Sequence, residues 1–321
     1  MSPPIRYRVL HETSYAYGSD VVHSHQLLHL VPRPTPFQEC VEHSVQISPS
    51  AYQRRDESDA FGNIVTRVEL EHAHRRLEVA AAMEVEVHAR PIVRPANSDP
   101  WETVRESLSY KSGRWPSREV LEACRFRHES PYIRVKQAFN EFGAECFQPG
   151  RPVLLCAEAL MQKIHRELKY APGETNIATP LSEVLENRRG VCQDFAHLMI
   201  ASLRSRGLAA RYVSGYIRLR PAIPPAADCG EGDPASRAVQ PARSPEPQLD
   251  WVGAGASHAW VSVYSPPFGW QELDPTNNVR VGTDHIAIAW GRDFGDVSPL
   301  RGVILGGGSH HLSVSVTVEP L

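Results

Sequence analysis

The chain has 321 residues, 41% hydrophobic and 22% charged, with 34 lysines and arginines against 37 acidic residues. That is the make-up of a globular protein with a real core, large enough for two ordinary domains or one large one. The near balance of charge supplies no long-range field, so neither nucleic acid nor an anionic membrane is expected as a partner, and no run approaches the ~18 apolar residues of a membrane span.

The opening MSPPIRYRVLHETSYAYG has no apolar segment followed by a small-residue cleavage site, so no targeting segment is expected. The cysteines at 40, 124, 146, 156, 192 and 229 are scattered, with no CxxC among them. Such a sparse set predicts reduced thiols and a cytoplasmic location.

Residues 5–90 read as β structure. RYRVLHETSYAYG alternates, placing Tyr7, Val9, His11, Thr13, Tyr15 and Tyr17 on one face. VEHSVQISP alternates in the same way, DAFGNIVTRVELE places Gly62-Asn63 in a turn before a strand, and LEVAAAMEVEVHA closes the set. Short strands at near-regular spacing predict an antiparallel β-sandwich over 1–92. RPIVRPANSDPW (90–101) then has linker composition. Residues 93–150 read as linker and helical segment, with helices over 117–127 and 131–142 split at Ser130-Pro131.

A core over 151–321 follows. In 153–168, Leu154, Leu155, Ala157, Leu160, Met161, Ile164 and Leu168 form one helical stripe. Thr179-Pro180 predicts a helix start, with Thr179 as N-cap, and Gly190 its end. The next helix opens at Cys192, buries Phe195, Ala196, Met199, Ile200 and Leu203, and stops at Gly207. A strand over 209–219 is followed by a Pro-rich stretch, 221–250, expected to be a mobile surface loop. SHAWVSVY and GWQELDP make a hairpin about SPPF, and HHLSVSVTVEP is the last strand.

Cys192 stands where that helix begins, in RGVCQDFAH. A helix N-terminus leaves backbone N–H groups unpaired and favours a thiolate. One of those N–H groups also points at whatever the sulfur attacks, which is half of an oxyanion hole. A cysteine alone decides nothing, since most are inert core residues. His258 and Asp274 change that. They lie on the two arms of the hairpin, sixteen residues apart, and an even separation allows both onto one face, directly opposite or diagonal. Cys192, His258 and Asp274 then suit nucleophile, general base and orienting carboxylate.

These residues also carry a resemblance. PLSEVLENRRGVCQDFAHLMIASLRSRGLAARYVSGY and SHAWVSVYSPPFGWQELDPTNN resemble the cysteine helix, histidine strand and aspartate strand of the transglutaminase-like superfamily. Residues 5–90, with HETSYAY, LVPRP and DAFGN, look like the β-sandwich region ahead of that core in bacterial members, and GRDFGDVSPLRGVILGGGSHHLSVSVTV is similar to their C-terminal segment. The 221–250 stretch is longer than the pattern needs. The resemblance implies a papain-like α+β core, with Cys192, His258 and Asp274 as the triad of an amide hydrolase or acyl transferase working through a thioester. Its partners would be a peptide or protein amide and, for transfer, an amine. A silent scaffold that kept the fold is the rival reading.

Tyr170 lies upstream of the cysteine helix, where similar proteins also tend to show an aromatic. It is a candidate second oxyanion donor, with packing the competing role. Gln193 is a candidate substrate contact, and Asp194 an acceptor for a first-turn N–H. His197 faces the wrong way for a base. No cofactor or metal is expected: His23 and His25 share a strand face, with His29, His72 and His74 elsewhere, but no cysteine or carboxylate completes a ligand set in the sequence. ILGGGSHH lacks the phosphate-loop frame.

Overall fold

The computed structural model describes residues 3–110, 112–113, 116–218 and 256–321. The Pro-rich 221–250 stretch and Cys229 lie outside the described residues. β1 (Ile5–Leu28), β2 (Gln38–Ser48), β3 (Gln53–Ser58), β4 (Ile64–Leu70) and β5 (His74–Val87) form the N-terminal antiparallel sheet. The alternation read from Tyr7 to Tyr17 is seen in burial: Tyr7, Val9, His11, Thr13 and Tyr17 are buried, and only Tyr15 is half-buried.

β1 is long enough to serve two wings of this sheet. Its first half pairs with β5, and its second half, after a register shift between Ala16 and Val21, pairs with β4. The strand order is β2-β5-β1-β4-β3.

Beyond Val87 the chain runs without regular structure to a short turn at Pro95–Asn97. There follow α1 (Trp101–Ser107), α2 (Arg118–Cys124), α3 (Gln137–Gly143), α4 (Val153–Glu167), β6 (Lys169–Tyr170), α5 (Leu181–Asn187), β7 (Arg189–Gly190) and α6 (Cys192–Ser205). The third helix is shorter than its pattern implied. Residues 131–136 are not helical, and Ser130 and Ile133 instead bridge each other.

Thr179 is not the N-cap of α5 either. Its hydroxyl accepts from the Asn176 N–H at 3.0 Å, and Pro180 occupies the cap position. α5 ends at Asn187, before Gly190, because Arg188 takes a left-handed conformation with φ 54°.

The core sheet has the order β11-β10-β9-β8-β12, built from β8 (Ala210–Ile217), β9 (His258–Ser265), β10 (Gly269–Asp274), β11 (Val279–Arg280) and β12 (His285–Gly291). α6 packs on β9 and β8 and against α3 and α4. Phe195, Leu198, Met199, Ile200 and Leu203 are all buried. Each such side chain contributes roughly 1.5–3 kcal/mol by leaving water, far more than helix propensity differences of a few tenths. Packing therefore fixes where α6 sits, and with it where Cys192 sits.

After α7 (Phe294–Val297), β13 (Leu300–Gly306) and β14 (His310–Pro320) return to the N-terminal sheet. β14 pairs with the first half of β1 and β13 with the second. The β region expected from 5–90 alone thus draws its last two strands from the other end of the chain. No helix among the described residues is long and apolar enough to cross a membrane.

Candidate active site

Cys192 is the first residue of α6 and is buried, with 9% of its surface exposed. Two features of the local sequence hold the helix start. The Asp194 carboxylate folds back to accept the Val191 N–H at 2.8 Å, and the Thr175 hydroxyl donates to the same oxygen at 2.7 Å. Burial raises the Asp194 pKa, and those two hydrogen bonds oppose the rise.

Gly190 permits this fold-back. A Cβ there would lie 2.6 Å from Asp194 Oδ2 and 2.8 Å from its Cβ. The short parallel pairing of Tyr170 with Gly190, and the Ala171 N–H to the Gly190 carbonyl at 2.9 Å, anchor the approach to the helix.

His258 opens β9 and Asp274 closes β10. The register pairs Leu273 with Val261, so Asp274 comes level with Trp260 and reaches His258 on the diagonal. His258 Nε2 and Asp274 Oδ2 are 2.8 Å apart, both side chains sealed from solvent. Asp274 has further donors: the Asn277 side chain to Oδ2 at 2.8 Å, and the Thr276 and Asn277 N–H groups to Oδ1 at 2.9 and 3.2 Å. His285 Nε2 is 3.3 Å from Oδ2.

With Nε2 taken, Nδ1 is the ring nitrogen left over. It is buried and has no well-formed hydrogen bond among the described residues, and Cys192 acts on the ring by raising its pKa. Contacts of this kind are commonly loose in a resting site and tighten only with substrate. Burial works against the imidazolium. The Asp274 charge and hydrogen bond outweigh it, and Cys192 adds to them, raising the His258 pKa to about 10. Asp274 is held well below the usual carboxylate range: burial opposes this, but the charge and hydrogen bond of His258, and those of His285, overcome it.

Of the remaining candidates, Tyr170 lies close to the sulfur. Its ring meets Phe195 edge-on at 6.4 Å, and burial with the Cys192 charge pushes its pKa up to about 12, so it stays a neutral donor. Gln193 is half-buried in the first turn of α6. His197 is used elsewhere: its Nε2 accepts the Phe294 N–H at 3.2 Å, and burial, with Arg204 adding to it, lowers its pKa to about 3.

Sequence reasoning missed His285 and Asn277. Asn277 had a signal, since an Asp-Pro-Thr-Asn turn brings donors back to the aspartate. His285 had none. It reaches Asp274 because β12 lies beyond β8 and because Gly215, between them, has no side chain. The Trp260 ring crosses that gap and meets His285 edge-on at 5.3 Å. Glu69 was also missed as a neighbour of the exposed histidine pair. Its carboxylate is 3.5 Å from both His23 and His25.

Two family models match the chain: the bacterial transglutaminase-like N-terminal region over residues 7–86 and the transglutaminase-like superfamily over residues 141–275. An uncharacterized protein of Mycobacterium tuberculosis (strain ATCC 25618 / H37Rv) is 35% identical over 324 residues, covering 98% of this chain and 93% of that protein. A protein-glutamine gamma-glutamyltransferase of Pseudomonas aeruginosa is 26% identical over 183 residues, covering 55% of this chain and 24% of that protein. A solved structure from Cytophaga hutchinsonii, provisionally described as a cysteine protease, superposes with a TM-score of 0.71 at 18% identity, covering 100% of this chain and 92% of the other. That likeness is one of fold.

Proposed function

The chain belongs to the transglutaminase-like superfamily, and from that premise we propose that it is a cysteine-dependent enzyme opening amide or peptide bonds through a thioester on Cys192. The observation that carries the reading is the buried His258–Asp274 pair. Its free ring nitrogen is the one available to a sulfur that already acts on the ring.

In this mechanism the Cys192 thiolate attacks the carbonyl carbon and the C=O electron pair moves onto oxygen. The unpaired N–H groups at the start of α6 receive that oxyanion, and the Tyr170 hydroxyl is the second donor. As the C–N bond breaks, His258 gives its proton to the departing amine. A pKa raised to about 10 suits that step, because the ring is already protonated at neutral pH. Once the sulfur is acylated its negative charge is gone, so the ring becomes less basic. The neutral ring can then take a proton from the incoming water or amine, which displaces the sulfur.

Hydrolysis and amine transfer are identical up to the thioester. The named activity of the Pseudomonas aeruginosa relative supports including transfer. The substrate class is a peptide or protein amide. The cytoplasm is the proposed location, supported by five unbonded cysteines among the described residues.

The test is mass spectrometry of Cys192 after incubation with amide and peptide libraries, with and without added amines. A mass increase on Cys192 matching an acyl group, absent in Cys192→Ala together with turnover, supports the reading. Turnover that survives Cys192→Ala defeats it.

A further inference from the structure

A cavity of about 640 Å³ lies between the core sheet, α4 and the chain segments 35–37 and 90–93, on the sheet face that also carries Trp260 and Glu272. Cys192 does not line it. Phe37, Phe268, Trp270 and Trp290 make much of its wall apolar, and Arg90, Arg211 and Arg280 bring charge to it.

Arg90 is paired with Glu272 at 3.2 Å, and Arg280 forms an ion pair with Glu158. Arg211 is different. It is buried, with 8% of its surface exposed, and its guanidinium is stacked between Trp270 at 4.0 Å and Trp290 at 3.8 Å. Among the described residues no hydrogen bond or ion pair reaches it, and its Nε is buried without a partner. Glu272 acts on it by charge but is already held by Arg90 and by the Trp260 N–H at 2.7 Å. Directly opposite Arg211 on β9, the Ser262 hydroxyl is also buried without a partner among the described residues.

Buried polar groups ordinarily find partners, and a buried charge without one is costly. Stacking on two indoles satisfies the faces of the guanidinium and leaves its in-plane N–H donors open, the geometry that receives a carboxylate. Among the described residues that line the cavity, three arginines stand against two glutamates, which leaves one positive charge unmatched.

We propose that this cavity binds a small organic monoanion, a carboxylate on a flat apolar body, with the carboxylate on Arg211 and the body between the aromatic walls. The site stands apart from the proposed thioester chemistry and holds whether or not that chemistry is right.

Calorimetric titration of the full chain with 2-naphthoate, 2-naphthamide and 2-naphthyl phosphate tests it. The expected result is saturable one-to-one binding of naphthoate, at least tenfold weaker binding of the neutral amide, and at least tenfold weaker naphthoate binding in Arg211→Gln. Equal binding of acid and amide, no binding of either, or unchanged binding in Arg211→Gln would overturn the proposal. Phosphate ester binding more than tenfold tighter than naphthoate would overturn the carboxylate assignment. The acid–amide contrast uses the native chain, so it decides the matter even if Arg211→Gln does not fold.

A second site rests on separate residues. His23 and His25 share a face of β1, and His25 is the direct cross-strand partner of Glu69. The two Nε2 atoms are 2.8 Å apart, and each is 3.5 Å from Glu69 Oε1. Donors bound to one ion at ~2.0–2.1 Å in a tetrahedral arrangement lie roughly 3.4 Å from one another, so both histidine–carboxylate spacings fit, while the two rings, which share a hydrogen bond at 2.8 Å, must part by roughly 0.6 Å to admit the ion. Two imidazoles with one carboxylate suit zinc or a similar divalent ion, leaving a position for water. We infer that His23, His25 and Glu69 bind such an ion. Titration with Co²⁺ should give saturable visible absorption at one equivalent, displaced by Zn²⁺ and lost in His25→Ala. No saturable absorption, or a signal unchanged in His25→Ala, would refute the site.

Discussion

His258 Nε2 meets Asp274 Oδ2 at 2.8 Å in a position closed to water. That one contact assigns the two ring nitrogens different tasks, since the nitrogen held by the carboxylate cannot also serve the sulfur. It also makes stability depend on pH in a definite direction. The His258 pKa is raised to about 10 from an ordinary value of about 6.5, so its contribution is whole below ~6.5 and is lost as pH rises toward 10. Asp274 is depressed, so its contribution is present above ~3.9 and is lost as pH falls through its folded value. Melting temperature against pH should therefore be highest between about 4 and 6.5 as far as this pair is concerned. In Asp274→Asn the decline between 6.5 and 10 should shrink. A variant with the wild-type slope would mean the pair is not coupled.

Removing the carboxylate should also cost activity. Asp274→Asn keeps the shape of the contact but removes the charge that stabilises the imidazolium and fixes its tautomer, and turnover should fall roughly 10²–10⁴-fold, with about 3–5 kcal/mol of stability lost from breaking a buried pair. Steady-state kinetics beside denaturant unfolding separate the two effects.

His285 is a positioning residue for Asp274. One hydrogen bond to a charged group is worth about 1.5–3 kcal/mol, so His285→Gln should lower kcat by roughly 10–100-fold and leave KM nearly unchanged. It should also raise the pH at which His258 titrates, since a carboxylate relieved of one donor keeps more of its charge for the imidazolium. Histidine NMR shifts report that titration, and an unmoved His258 curve would confine His285 to packing.

Glycine substitutions probe the backbone beneath the site. Gly190→Ala would drive a Cβ into the Asp194 carboxylate that holds the Val191 N–H. The overpacking should cost about 1–3 kcal/mol and should reduce Cys192 reactivity along with stability. At Gly215 an added Cβ would overlap the Ile286 carbonyl and sit 2.5 Å from the Trp260 ring. Gly215→Ala should be at least as damaging, because a strand backbone and a buried indole have little room to move. Urea unfolding of both variants checks the order.

Local signals in the sequence made Cys192, His258 and Asp274 candidates, and the family resemblance is what set them above inert core residues. A helix start, a strand start and the even spacing across a hairpin are all short-range features. The diagonal rather than opposite placement of Asp274 depends on register, which the SPPF turn alone left open. His285 was beyond reach because its link to Asp274 passes through two strand pairings and a missing side chain at Gly215. The N-terminal strands showed their alternation clearly, but that β13 and β14 join them is a long-range pairing with no local mark. Thr179 misled because a threonine before a proline fits a helix cap and a turn cap equally well. Glu69 was invisible beside His23 and His25 for the same reason as His285: only strand pairing makes them neighbours.

Residue-resolved alkylation is the most direct test of the claim that Cys192 is a nucleophile working with His258. Peptide mapping after brief treatment with iodoacetamide at neutral pH gives a rate for each cysteine. Cys192 should react at least tenfold faster than the half-buried Cys40 and Cys124, whose thiols burial makes harder to ionise. In His258→Ala its rate should drop toward theirs. A Cys192 that reacts no faster than a free cysteine model, or at the same rate with and without His258, would contradict the account.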